Sequence, residues 1–325
     1  MTSFFPISHS ILSCPALAEL IQANYELTKI RNIIFYQAGL NDTYLLTTDT
    51  EKYILRVYRK NWRSLSDIQC EISLLQHLDQ HHIPVACAIA RKDNDYITSV
   101  MAPEGQRYMV LFQYIEGHTA KFNQQAETEA ASFGHSMAKM HNAQENFYSQ
   151  HPRFKLDLQH LLEQPMAIIE TYTGQHPDHW HYLKQLATQL AEQVNQIPKD
   201  TLSHGYCHGD LNGDNARLEQ NKLKLFDFDC CGQGHLAYDL AVFRWGARLI
   251  NKEQQLWPAF IAAYETERTL TTTDKSIIKP YTIIRHIWHM GLHLQLSREK
   301  GQHWVNDQYF DQQVQLLKDW NTNNI

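Results

Sequence analysis

The sequence predicts an α+β protein in two parts, a small antiparallel β-rich part followed by a larger, mainly helical one. Two observations carry this. Strand-like alternation recurs as far as Gln113 with one helical period inside it, and helical periods dominate after Gly117, broken by a short strand pair. At 325 residues the chain is long for one core and suits two lobes, assigned as residues 1–113 and 114–325.

In chain order, a first helix is expected over about residues 8–25. NIIFYQAG, TYLLTT, KYILRVYR and QRYMVLFQYI then read as strands. Before the last of these, a helix is expected over about 66–81. Advancing DIQCEISLLQHL by about 100° per residue gathers Ile68, Ile72, Leu74, Leu75 and Leu78 into one apolar arc. Glu71 falls inside that arc, where a carboxylate is costly without a partner. Alternation in KYILRVYR puts Arg56 on one face with Ile54 and Tyr58, so Arg56 is the inferred partner of Glu71.

Composition narrows the class. The net charge of -6 and the lack of any basic run longer than a pair argue against nucleic acid as a partner. The six cysteines include no C-x-x-C pair, which fits a reduced cytosolic protein better than a disulfide scaffold. The apolar N-terminus has no Lys or Arg before Lys29, unlike a signal peptide, and no apolar run reaches the ~18 residues of a membrane span. A soluble, cytoplasmic protein with no membrane partner is expected. Nothing in the sequence sets the oligomeric state.

The chemistry concentrates in HGDLNGDN, His208 to Asn215, which is poor helix material and strongly turn-forming. It continues as ARLEQNKLKLFDFD, two short strands about a turn at Glu219-Gln220-Asn221. That hairpin would return Asp227 to the loop holding Asp210 and Asn215. Two carboxylates and an amide oxygen suit Mg²⁺, a hard ion, and leave one carboxylate to accept a hydroxyl proton. The alternative is Asx-turn chemistry and a hairpin with no reaction attached.

The pattern H-x-D-x-x-x-x-N followed by D-F matches the catalytic and metal-binding loops of protein kinases. HGD…N…DFD, with YDLA following, resembles the aminoglycoside phosphotransferase family, which includes choline kinases and one class of homoserine kinases. The resemblance implies a two-lobed protein-kinase-like fold and an ATP-dependent kinase phosphorylating a hydroxyl of a small molecule. It makes Asp210 the catalytic residue and Asn215 and Asp227 the Mg²⁺ ligands. Asp229 becomes a supporting carboxylate, Asp239 a brace for the catalytic loop, and His208 and Gly209 shapers of its turn. Arg56, held by Glu71, stands where kinases place a phosphate-binding Lys. Gly39 and Asn41 stand in for a glycine-rich phosphate loop, and backbone groups of Gln113 to Ile115 for the adenine edge. Arg56 and the sparse glycines leave open a catalytically inactive nucleotide-binding regulator. A stress-response-type protein kinase of the same fold is a third reading.

His286, His289 and His293 share a helical face, but without Cys or carboxylate they read as a polar wall and not as a zinc site. The acceptor pocket is expected from residues 143–200 and the helices after Arg248. Residues 118–325 carry 19 basic and 23 acidic side chains, mildly favouring a cationic acceptor.

Overall fold

The computed structural model describes residues 5–173, 177–219 and 222–322. It divides into two compact units. The first runs through Glu116 and includes Phe147–Pro152; the second comprises Gly117–Asn146 and the residues from Arg153 onward.

The first unit is an antiparallel sheet with two helices. Strands β1 (Ile30–Ala38), β2 (Asp42–Thr48), β3 (Lys52–Val57), β4 (Ile97–Ala102) and β5 (Gly105–Gln113) pair in the order β1-β2-β3-β5-β4. Alternation in β2 sends Tyr44 and Leu46 inward, where they meet Leu55, Val57, Met109 and Leu111. Helix α1 (Cys14–Asn24) covers this face with Leu17 and Ile21. It begins at Cys14, six residues later than expected. Pro15 explains the difference: it is tolerated in a first turn, whereas a start near Ser8 would bury it in a helix interior.

Residues before α1 are tied down instead by a buried ionic knot. Arg107 Nη2 lies 2.7 Å from Asp42, and its Nη1 donates to the Ser10 carbonyl at 2.8 Å. The Ser10 hydroxyl donates to Glu104 at 2.7 Å. Strand β4 was not expected, because it is the sheet edge and exposes Met101, so its apolar residues do not alternate cleanly.

Helix α2 (Leu65–Gln80) starts at Ser64, whose side chain and that of Asp67 close a reciprocal capping box. Its buried face carries Ile68, Ile72, Leu75 and Leu78, with Glu71 among them.

The second unit is built on helices α3 (Ala126–Ala143), α4 (Gln164–Glu170), α5 (Pro177–Asn195), α6 (Ala237–Leu249), α7 (Glu253–Glu267), α8 (Thr272–Lys300) and α9 (Asp307–Thr322). A π-helical turn, Gln159–Glu163, leads into α4. Helix α3 packs on α7, and α6 and α4 pack on α8. Five short strands complete the unit's frame among the described residues. Strand β6 (Lys155–Leu156) runs parallel to β10 (Gly232–His235), which pairs antiparallel with β7 (His204–Cys207). Strands β8 (Ala216–Glu219) and β9 (Lys222–Leu225) form the expected hairpin. Gln220 and Asn221 of its turn lie outside the described residues. The three-stranded sheet escaped the sequence reading because two of its strands, HGYC and GQGH, are glycine-bearing and the third has two residues. Among the described residues all six cysteines are free, and no helix is long and apolar enough to cross a membrane.

Candidate active site

The HGD loop leaves β7 and is held from below by Asp239. This carboxylate, in the first turn of α6, accepts the backbone N–H of His208 at 2.7 Å and of Gly209 at 2.8 Å. His141 at the end of α3 meets the same carboxylate at 3.1 Å and the Tyr264 hydroxyl at 2.8 Å. Two buried amides are thereby satisfied by one anion, and charge-assisted bonds of this kind are the stronger sort. Gly209 has φ +80°, and a Cβ there would sit 2.2 Å from the Cys230 carbonyl oxygen. Glycine replaces the kinase Arg at this position because the backbone must pass that close.

His208 joins the two halves of the motif. Its Nδ1 accepts the Asp210 N–H at 3.3 Å, and its Nε2 donates to the Phe226 carbonyl at 3.1 Å. The Phe226 N–H donates to the Asn215 carbonyl at 3.1 Å. The hairpin therefore returns Asp227 beside the loop that carries Asp210 and Asn215. Asp227 adopts a left-handed conformation, φ 65° and ψ 57°, leading into the turn Phe228–Cys230. Asp229 in that turn is buried, and Arg153 donates to its carbonyl at 2.5 Å and also to that of Cys231. Asp214 is exposed, its N–H held by the Asn212 side chain at 2.9 Å.

Both oxygens of the Asp210 carboxylate are engaged. Asn212 donates to Oδ1 at 3.2 Å and Asn215 to Oδ2 at 2.9 Å. Oδ1 also receives Nη2 of Arg285, a residue of α8 that the sequence reading passed over for its histidine neighbours. Arg285 donates from Nη1 to the Gly209 carbonyl at 3.0 Å, and its guanidinium lies 4.9 Å from the Trp245 ring and 4.4 Å from the Trp288 ring. Burial opposes its charge, but the Asp210 carboxylate and Tyr238 outweigh burial and push its pKa up.

With its amide nitrogen turned to Asp210, Asn215 has its side-chain oxygen left for a ligand. Among the described residues no group of three or more His, Cys, Asp or Glu side chains could by itself hold a metal. Asn215 and Asp227 carry the oxygen donors that a hard cation takes, and such an ion completes its shell with phosphates and water.

In the sheet unit, the inferred Arg56–Glu71 pair is present at 2.6 Å. Glu71 is fully buried, and its other oxygen accepts the Tyr58 hydroxyl at 3.0 Å. Arg56 also lies 4.7 Å from the Phe112 ring. Gly39 and Asn41 form the turn between β1 and β2, where the Gly39 N–H donates to the Asn41 carbonyl at 2.9 Å. The Asn41 side-chain oxygen is buried without a hydrogen-bond partner among the described residues. At the end of β5 the Gln113 N–H is taken by the Cys87 carbonyl at 2.9 Å. Ile115 lies just beyond and is half-buried.

A five-stranded antiparallel sheet carrying a buried Arg–Glu pair, and a helical unit carrying a braced HGD loop, define a protein-kinase-like phosphotransferase. The chain belongs to the phosphotransferase enzyme family, whose model matches residues 36–275. It is 34% identical to an uncharacterized protein of Deinococcus radiodurans over 97% of this chain and 92% of that one. It is also 26% identical to the homoserine kinase of Zymomonas mobilis, over 82% and 79% of the two chains. Among solved structures it is similar to the amicoumacin kinase hAmiN (TM-score 0.80, 18% identity, 94% and 93% covered). A microcompartment-associated aminopropanol kinase gives a TM-score of 0.75 at 18% identity, with 94% and 95% covered. The family read from the HGD and DFD motifs is therefore the family of this chain, and kinase is its enzyme class.

Proposed function

We propose that this kinase transfers the γ-phosphoryl group of ATP to a hydroxyl of a small molecule, with Asp210 orienting that hydroxyl and accepting its proton. The observation that carries the reading is the posture of Asp210. Its carboxylate is fixed on both oxygens within a loop whose backbone is fixed by Asp239. Preorganisation of this kind is what phosphoryl transfer asks of a protein, since positioning and electrostatics supply most of the catalysis.

Asn215 and Asp227 would hold Mg²⁺, which when bound neutralises phosphate charge. Asp229 supports the turn that presents Asp227. In the sheet unit, Arg56 would meet the phosphates while held by Glu71, with Gly39 and Asn41 in the covering turn. Because the Gln113 amide is already bonded, the adenine edge falls to the groups around Ile115. The hAmiN structure, in complex with AMP-PNP and Ca²⁺, supports a nucleotide and a divalent cation in this fold. Cytoplasmic residence agrees with six free thiols and a nucleotide donor.

A coupled screen of Mg²⁺-ATP turnover against hydroxylated antibiotics, homoserine, amino alcohols and sugars tests the activity. Calorimetry tests the metal ligand. Asp227→Ala should weaken Mg²⁺-ATP binding by about tenfold or more, as removal of one of two protein ligands implies. Unchanged affinity would move the metal site elsewhere.

A further inference from the structure

The turn proposed to cover the phosphates stands directly on a buried anion. Ala38 and Asp42 pair across β1 and β2, so Gly39, Leu40 and Asn41 form the turn and Asp42 is its first support. Strand alternation sends the Asp42 side chain inward with that of Tyr44, and Asp42 is fully buried. Asn41 is buried beside it. Its side-chain oxygen makes no hydrogen bond among the described residues. The backbone therefore sets its direction, through the Gly39 N–H on its carbonyl and the peptide it shares with Asp42. A bare carboxylate in that place would also repel bound phosphates, because burial weakens screening.

Arg107 of β5 answers that carboxylate. It is buried, and its five N–H groups meet five acceptors. Nη2 lies 2.7 Å from Asp42 and 3.2 Å from the Val57 carbonyl, and Nε lies 2.9 Å from the Tyr58 carbonyl. Nη1 lies 2.8 Å from the Ser10 carbonyl and 3.4 Å from Glu104. A lysine, with three donors and no planar fork, cannot reproduce this set. Buried ion pairs are weak contributors to net stability, so the place of this one beneath the turn calls for another reason.

Glu104 is a second buried carboxylate competing for the same guanidinium. Ser10 satisfies it, with the hydroxyl donating at 2.7 Å and the N–H at 3.3 Å. The segment before α1 thus leaves Arg107 to Asp42. Two more contacts hold that segment against β2. His9 Nε2 lies 3.2 Å from Asp42, and the Tyr44 hydroxyl accepts the Leu12 N–H at 2.9 Å and donates to the Leu12 carbonyl at 3.1 Å.

We infer that Arg107 is a positioning residue for the nucleotide phosphates, acting through Asp42 on the turn Gly39–Asn41, and that Ser10 completes the device by satisfying Glu104. The inference rests on the proposed assignment of that turn to the phosphates. It makes nucleotide affinity depend on residues that touch no nucleotide, beyond what their worth to folding explains.

The test is calorimetric titration of Mg²⁺-ATP into the full-length protein, with urea unfolding of each variant alongside. Arg107→Lys keeps the charge and loses the fork, and should weaken ATP by about tenfold, the scale of one charge-assisted hydrogen bond. Ser10→Ala, the milder variant, should weaken ATP about threefold with little change in the urea midpoint, as loss of one hydroxyl at a half-buried site implies. Leu17→Ala is the control: it thins the core between α1 and the sheet without touching the knot. It should lower the urea midpoint and leave ATP affinity within about twofold of the unaltered protein. Unchanged ATP affinity in both Arg107→Lys and Ser10→Ala would overturn the proposal. So would a loss of affinity in Leu17→Ala as large as that in Arg107→Lys, since affinity would then merely follow stability. Failure of the unaltered protein to bind Mg²⁺-ATP would instead bring down the kinase reading, and this inference with it.

Discussion

Asp210 is an anion with no rotational freedom to spare, held by Arg285 and Asn212 on one oxygen and Asn215 on the other. Asp210→Asn would turn an amide toward one of these donors and remove the charge opposite Arg285. Turnover should fall by about 10²–10⁴-fold, the usual worth of a positioned acid–base group. Nucleotide affinity should stay within a few-fold; retention of most turnover would remove Asp210 from the chemistry. The residues that could be read directly share one feature: Asp210, Asn215 and His208 lie within eight consecutive positions. Arg285, His141 and Arg153 do not. They reach their partners across 75, 98 and 76 residues of chain, and single Arg and His residues carry no local signal of such a reach. Arg285 was further masked by the histidine stripe beside it.

Glu71 was legible because a helix announces its buried face, and a carboxylate on that face demands an explanation. Removing Arg56 strands it: Arg56→Ala should cost about 3–5 kcal/mol in urea unfolding, nearer the lower figure because Tyr58 still bonds Glu71. Arg56→Ala with Glu71→Leu should recover most of that stability without recovering turnover. Recovered turnover would show that Arg56 does not serve the phosphates. Helix α8 makes a different prediction. Burial is the main cause that lowers His286 to about 4 and His289 to about 2, with His293 adding to both and Arg285 to the latter. The folded state therefore resists protons that the unfolded chain binds below about pH 6.5. Stability is full above that pH and declines as pH falls toward 4, on the order of 2 kcal/mol per histidine between pH 7 and 5. Equal urea midpoints at pH 7 and pH 5 would refute it. The elements that escaped the reading, β4 and the β6-β10-β7 sheet, are held by their neighbours and not by their own pattern. An edge strand and glycine-bearing strands show little propensity until the rest of the fold exists.

For the molecule as a whole, the short path from Asp227 to Asp239 decides the kind of acceptor. The eleven residues between them are fully occupied by the turn Phe228–Cys230, by β10 and by the start of α6. Protein kinases instead interpose a long activation segment that serves regulation and docking. Labelled ATP offered to a cell extract and to its separated small-molecule fraction should therefore mark the small molecules. Label confined to specific proteins would reverse this assignment. A further consequence follows from Arg285 and from the ionic knot around Arg107. The family match spans residues 36–275, yet Ser10 lies before it and Arg285 after it. A fragment trimmed to those bounds would leave Arg107 and Glu104 without Ser10, cut α8 in its first turn, and deprive Asp210 of its buried counter-charge. The recognisable stretch of this protein is thus not its autonomous unit: homology marks where the chemistry is written, while the chain on either side of the match holds it in place.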